Sequence, residues 1–195
     1  MKSFNIAAYI SGSGSNLKSV IQNSFKGVIA SKVKLVIADK HASGLDYPAS
    51  LGIETAVISR AELTRSEFLK MQSELLKKHK IDLIILAGFL KKLPDEIVSE
   101  YKGRIINIHP ALLPKFGGKG MHGMNVHKAV IEAKEEFSGP TVHFVDEIYD
   151  SGEILLQRKI RITAGETPES LQKKVLEIEH TIYTEAIKLL EEKES

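Results

Sequence analysis

Residues 4–17 read FNIAAYISGSGSNL: a short apolar run, then Ser11-Gly12-Ser13-Gly14-Ser15-Asn16, then the start of a helical pattern. An apolar run this short, with no polar alternation, is what a strand buried on both faces requires, and such strands occur in parallel sheets covered by helices on either side. Four more runs share that character: VKLVIA (33–38), ETAVI (54–58), DLIILAG (82–88) and RIINI (104–108). Helical patterns separate them at 16–25, 44–51, 64–79 and 94–101. In the third, Phe68, Leu69, Leu75 and Leu76 recur at helical spacing, and the fourth opens on Pro94 with Asp95 and Glu96 behind it. Strand, helix, strand repeated with right-handed crossovers gives an α/β fold doubly wound around a mainly parallel, Rossmann-like sheet.

After residue 110 the pattern changes. A Gly-rich segment, LLPKFGGKGMHGMN (112–125), precedes a helix expected over 125–135. TVHFVDE (141–147) and EILLQRKIRI (153–162) then alternate like an antiparallel hairpin closed by IYDSG (148–152). A long terminal helix over 168–192 carries Leu171, Val175, Ile178, Ile182, Ile187 and Leu190 on one stripe. With no internal repeat or linker, residues 1–195 are expected to form a single domain.

Composition narrows the function classes. Hydrophobic residues at 43% and charged residues at 27% are those of an ordinary globule. Lys plus Arg (27) barely exceeds Asp plus Glu (25), and the basic residues are scattered, so neither nucleic acid nor an anionic membrane is an expected partner. The absence of cysteine removes disulfides, thiolate nucleophiles and Cys-ligated metals. The opening MKSFNIAAYISGSGSN is too short in its apolar part for a secretory signal, and no apolar run approaches the ~18 residues of a membrane span. A cytoplasmic protein acting on small molecules, as a monomer or homodimer, is expected.

In open parallel sheets ligands bind beyond the carboxyl ends of the strands. Three polar clusters fall there: Ser11 to Asn16, Ala87-Gly88-Phe89, and Asn107-Ile108-His109-Pro110. The first joins strand to helix, and its glycines allow backbone N–H groups to point at an anion such as phosphate; it reads equally well as a tight turn in which Ser15 or Asn16 caps the helix. A dinucleotide fingerprint would need glycine where Leu17 stands. Asn107 and His109, two apart on an extended strand, share one side. An amide donor beside an imidazole suits a developing oxyanion plus a proton transfer, although such residues also satisfy loop backbone. Asp150 serves either its own turn or, if the hairpin folds over the rim, the orientation and charge of His109. The intervals between His109, His122 and His127 match no metal-binding pattern, so no metal is expected. His41 and His79 read as surface residues and His143 as a satisfied packing residue.

Taken in order, SGSGSNL, LAGFLKKL, NIHPALLPKF, TVHFVDEIYDSGEIL and EHTIY resemble the phosphoribosylglycinamide formyltransferases, folate-dependent enzymes of purine synthesis, over nearly the whole chain. The resemblance implies transfer of a formyl group from 10-formyltetrahydrofolate, as co-substrate, to the amine of glycinamide ribonucleotide. It implies that Asn107, His109 and Asp150 are catalytic. Gly14, Ser15, Asn16 and Glu179 would hold the ribonucleotide; Arg65, Leu90, Lys91, Lys92, Leu93 and Asn107 would meet the folate. The implied chemistry has a neutral amine attacking while Asn107 and a protonated His109 receive the oxyanion, with Asp150 raising the His109 pKa. The chain departs from the family in having Leu176 where a polar or basic residue is usual and Lys91-Lys92 where an Arg-apolar pair is usual. Its Gly-rich 116–127 loop is the longer form, expected to act as a flap, and Leu113-Pro114 is a candidate cis bond. Rival expectations are a formyltetrahydrofolate hydrolase, which usually carries an additional N-terminal domain, and a tRNA formyltransferase, which would want a basic C-terminal extension in place of LLEEKES. From another class comes a dinucleotide-dependent oxidoreductase using Asp39.

Overall fold

The computed structural model describes residues 2–193; Met1, Glu194 and Ser195, the ends of the expected domain and of its acidic tail, lie outside the described residues. Five parallel strands form where the apolar runs predict them: β1 (Asn5–Ile10), β2 (Lys32–Ala38), β3 (Glu54–Val57), β4 (Leu83–Leu86) and β5 (Ile105–His109). The crossovers are α1 (Ser15–Phe25), α2 (Asp46–Ser50, entered by a 3₁₀ turn over Ser43–Leu45), α3 (Arg65–Lys78) and α4 (Asp95–Glu100). Then come α5 (Met124–Glu132), β6 (Phe137–Ser138), β7 (Thr141–Phe144), β8 (Ile154–Gln157), β9 (Ile160–Arg161) and α6 (Pro168–Lys193). The seven-stranded sheet runs β3-β2-β1-β4-β5-β7-β8, with β7 and β8 antiparallel to their neighbours.

The near-continuous hydrophobicity of β1 has its explanation in the core. Alternate residues face opposite sides of a strand. Ile6, Ala8 and Ile10 pack with Leu17, Val20 and Ile21 of α1 and with Ile182, Tyr183, Ala186 and Ile187 of α6. Ala7 and Tyr9 pack on the other face with Leu76 of α3 and with Ile97 and Val98 of α4. A polar residue at any of these positions would lack a solvated side to turn towards.

The expected hairpin is realised only in part. EILLQRKIRI does not run as one strand: β8 ends at Gln157, and β9 leaves to pair with β6 in a separate two-stranded sheet. Pro140, between β6 and β7, has no N–H to donate, so the ladder is interrupted there; its carbonyl accepts from Arg158 N at 3.0 Å where the opposing segment changes sheets.

The β7–β8 link determines where Asp150 goes. Because β7 runs antiparallel to β5, its end lies beside the start of β5, away from the rim, and the link has to fold back to reach it. Gly152 allows this by lying flat against β7: a Cβ built there falls 1.9 Å from Phe144 O and 2.8 Å from its carbonyl carbon. Overpacking of that kind costs typically 1–3 kcal/mol. Gly152→Ala is expected to destabilise the fold by about 2 kcal/mol in urea unfolding. An unchanged midpoint would contradict the backbone contact.

Candidate active site

β1 and β4 are neighbours whose following connections leave towards opposite faces, which makes the space between their ends the topological switch point. Two hydrogen bonds tie the loops there together: Ser11 N donates to Gly88 O at 3.1 Å and Leu90 N donates to Ser11 Oγ at 2.9 Å. The turn before α1 is braced from behind by Gly44, whose N–H donates to Gly12 O at 3.1 Å. Only glycine fits, since a Cβ on Gly44 would lie 2.7 Å from Gly12 O and 2.9 Å from Gly14 N.

The capping alternative for Ser15 and Asn16 does not hold. The N-cap of α1 is Gly14, at φ 67, with no side-chain cap. The Asn16 amide instead donates from Nδ2 to Glu179 Oε2 at 2.6 Å, across 163 residues of chain. The first N–H groups of α1 therefore lack a side-chain acceptor, and the positive end of the helix opens onto a cleft of about 730 Å³.

That cleft gathers most of the expected residues. Gly14, Ser15, Asn16 and Glu179 line it, as do Leu90, Lys91, Lys92 and Leu93 after β4, and Asn107, His109 and Asp150. Arg65 is the exception. It lies in a separate, smaller depression of about 100 Å³ shared with Lys92 and Leu93, with its guanidinium on Glu96 Oε1 at 2.6 Å. The first turn of α4 supplies that carboxylate, a position that sequence spacing alone does not connect with Arg65.

At the end of β5, Asn107 and His109 share a face, and Asp150 reaches both. The carboxylate stands 3.6 Å from His109 Nδ1 through Oδ2 and 3.5 Å from Asn107 Nδ2 through Oδ1, and it accepts Gly118 N–H at 2.8 Å. His109 Nε2 lies 2.7 Å from Phe116 O; a carbonyl only accepts, so this nitrogen carries a proton. The Gly-rich loop is thus fastened to the site at Phe116 and Gly118. The Leu113-Pro114 bond is cis.

Burial pushes the His109 imidazole below its ordinary value; the Asp150 carboxylate and the Phe116 carbonyl pull upward, and His143 pushes down again. Burial prevails, which corrects the expectation of a raised pKa: Asp150 acts in the expected direction but is outweighed. For Asp150, burial raises the carboxyl, yet the contact with His143, the attraction of His109 and the Gly118 N–H together hold it below the usual carboxylate range. The resting site is therefore a carboxylate beside neutral imidazole.

Three cleft residues escape the sequence reading. His143, expected to be a packing residue, pairs with Asn107 across β5 and β7, and its Nε2 lies 3.1 Å from Asn107 Nδ2. The antiparallel register exposes that role, and no local spacing signals it. His127 is buried at the start of α5 with its pKa lowered to about 4 by burial and by His109, and its Nδ1 has no partner. Gln172 lines the cleft one turn before Leu176. Away from the cleft, His79 is not a free surface residue: its Nε2 lies 2.8 Å from Glu54 Oε2. Among the described residues no group of three or more His, Cys, Asp or Glu is arranged to hold a metal, and no helix is long and apolar enough to cross a membrane.

Residues 4–187 match the family model described as Formyl transferase. The chain belongs to the formyl transferase family. It is 43% identical over 185 residues to the chloroplastic phosphoribosylglycinamide formyltransferase of Arabidopsis thaliana, covering 93% of this chain and 63% of that protein, so it spans less than two thirds of this relative's length. The crystal structure of glycinamide ribonucleotide transformylase 1 from Symbiobacterium toebii superposes with a TM-score of 0.90 at 34% identity, covering 97% of this chain and 88% of that one. A formyltetrahydrofolate deformylase from Pseudomonas syringae pv. tomato superposes at 0.85 with 18% identity over 97% of this chain and 62% of that one, a likeness of fold alone.

Glu179 is buried in the wall of the cleft. Burial raises its carboxyl, and the hydrogen bond from Asn16 lowers it by less. A group whose folded pKa is raised contributes stability at low pH that is lost as pH rises through the folded value. Glu179→Gln is accordingly expected to unfold at a higher temperature than the parent at pH 8 and at nearly the same temperature at pH 4. A difference that does not widen between the two pH values would contradict a carboxyl disfavoured by burial.

Proposed function

We propose that the protein transfers the formyl group of 10-formyltetrahydrofolate to the terminal amine of glycinamide ribonucleotide, giving N-formylglycinamide ribonucleotide and tetrahydrofolate in purine synthesis. One observation carries the reading: Asn107, His109 and Asp150 converge in a cleft that also takes in the uncapped helix end at Gly14–Asn16. An attacking amine beside Asn107, His109 and Asp150 and a phosphate at the helix end belong to one acceptor of ribonucleotide size, and 730 Å³ lies within the range of small-molecule sites. The similarity to phosphoribosylglycinamide formyltransferases supports the same substrates.

The chemistry follows from the protonation states. The neutral amine attacks the formyl carbon, and the carbonyl electron pair moves onto oxygen. Asn107 Nδ2 donates to that oxyanion. His109 Nδ1 takes a proton from the attacking nitrogen, and the imidazolium so formed is stabilised by Asp150 on one side and the Phe116 carbonyl on the other. The same proton passes to the folate nitrogen as its bond to carbon breaks. The imidazolium is thus a transient of the reaction, which suits a histidine whose burial keeps it neutral beforehand.

The remaining roles are assigned on the same basis. Gly14, Ser15 and Asn16 take the phosphate end of the ribonucleotide, and Glu179 its glycinamide end. Leu90 to Leu93 line the folate pocket through backbone and apolar contacts, helped by Ile148 and Tyr149, whose side chains are exposed at the cleft. Lys91 and Lys92 face the acidic tail of the folate. Arg65 joins them by releasing Glu96.

A hydrolase would deliver water to the same formyl carbon and leave the Gly14–Asn16 turn without a purpose. Incubating the protein with 10-formyltetrahydrofolate, with and without glycinamide ribonucleotide, separates the two. Loss of formyl folate is expected only with the amine present; loss without it contradicts the proposal. A preorganised oxyanion donor is typically worth ~10²–10³ in rate. Asn107→Ala and His109→Ala are each expected to lose at least about 10²-fold in kcat with the fold retained, and near-native turnover in either would remove that residue from the mechanism.

A further inference from the structure

We propose that His143 is a positioning residue for formyl transfer: held in one tautomer by its own strand, it fixes which way the Asn107 amide points. This rests on the formyl-transfer reading of the cleft. His143 is buried at 1% exposure in the middle of β7, directly opposite Asn107 in the antiparallel register.

The orientation follows from donor and acceptor roles. His143 Nδ1 lies 2.8 Å from Phe144 O. A carbonyl oxygen has no proton to give, so Nδ1 carries the ring proton, and in the neutral imidazole Nε2 is left as an acceptor. The atom 3.1 Å from Nε2 is Asn107 Nδ2, which has two hydrogens to donate. An amide turned the other way would set its oxygen against two acceptors, the Nε2 lone pair and Asp150 Oδ1. Both contacts therefore require nitrogen at this position.

The consequence reaches the reacting carbon. One N–H of Asn107 is committed to His143, while the second is directed to the Asp150 side of the cleft at 3.5 Å, the limit of a hydrogen bond. That second N–H is the one placed to meet a developing oxyanion next to His109 Nδ1. Without an acceptor at position 143, only the 3.5 Å contact with Asp150 Oδ1 still selects nitrogen, and the amide turns its oxygen towards the substrate far more readily. It would then repel the negative charge it is needed to stabilise. His143 touches neither substrate in this scheme, so its removal acts through Asn107.

Two variants and one spectrum test this. His143→Phe keeps an aromatic ring but offers no acceptor, and it is expected to lower kcat by about 10-fold to 100-fold while KM for both substrates moves less than about 3-fold. His143→Gln places a carbonyl oxygen where Nε2 stood and is expected to recover most of that loss. In an Asn107→Ala background, His143→Phe is expected to add no more than about 2-fold, because the residue it positions has gone. Full kcat in His143→Phe, no recovery in His143→Gln, or a multiplicative loss in the double variant would each overturn the proposal.

The spectrum uses the unaltered enzyme and needs neither activity nor a folded variant. Imidazole ¹⁵N NMR at pH 8 is expected to find His143 protonated at Nδ1 and bare at Nε2. The opposite tautomer would overturn the assignment even if every variant unfolded. Absence of formyl transfer in the parent enzyme, with the expected tautomer present, would instead count against the reading of the cleft.

Discussion

A carboxylate held between two buried imidazoles governs the cleft. Asp150 lies 3.6 Å from His109 Nδ1 through Oδ2, which also accepts the Gly118 N–H, and 3.5 Å from His143 Nε2 through Oδ1. Charge in a partly buried site is expensive unless it is compensated, and here the compensation differs for each partner. Asp150 has enough donors to remain ionised. His109 has acceptors on both nitrogens, which favour its cation, yet burial keeps its pKa below the ordinary value. In the proposed transfer this makes His109 a base that is neutral before reaction and stabilised as soon as it takes a proton, as a group passing a proton from one nitrogen to another requires.

The fold supplies the geometry through constraints located far from that carboxylate. Parallel strands bring the ends of β1, β4 and β5 to one rim, and the antiparallel addition of β7 sets His143 beside Asn107. Asp150 arrives only because the β7–β8 link folds back, with Gly152 flat against Phe144 and Asp150 itself at φ 54. At the opposite end of the cleft, the bond between Asn16 and Glu179 fastens α6 to the start of α1 and leaves the helix end open to an anion.

What was legible in the sequence follows from the range of the interactions concerned. The parallel strands were: β1, β2, β4 and β5 because burial imposes a largely apolar run that no amphipathic helix shares, and the half-buried edge strand β3 by its place in the alternation with helices. Asn107 and His109 on one side of a strand followed from its period of two. The split of the last strand did not follow from alternation, because Pro140 interrupts the ladder on the opposing segment and not within EILLQRKIRI. The roles of His143 and of the Asn16–Glu179 pair depend on pairings across 36 and 163 residues, which local spacing cannot encode. Arg65 shows the converse: a basic residue placed by resemblance, whose nearest charge is Glu96 of a different helix. The resting state of His109 was misjudged for a related reason, since sequence reveals which carboxylate could lie near an imidazole but not how completely the pair is removed from water.

The balance between burial and the Asp150 carboxylate is read most directly by titrating His109 with NMR in the parent protein and in Asp150→Asn. Burial sets the parent value below that of a free imidazole, and removing a nearby anion takes away an upward influence, so the variant is expected to titrate at still lower pH. A parent pKa above the free-imidazole value, or one that Asp150→Asn leaves unchanged or raises, would contradict the account.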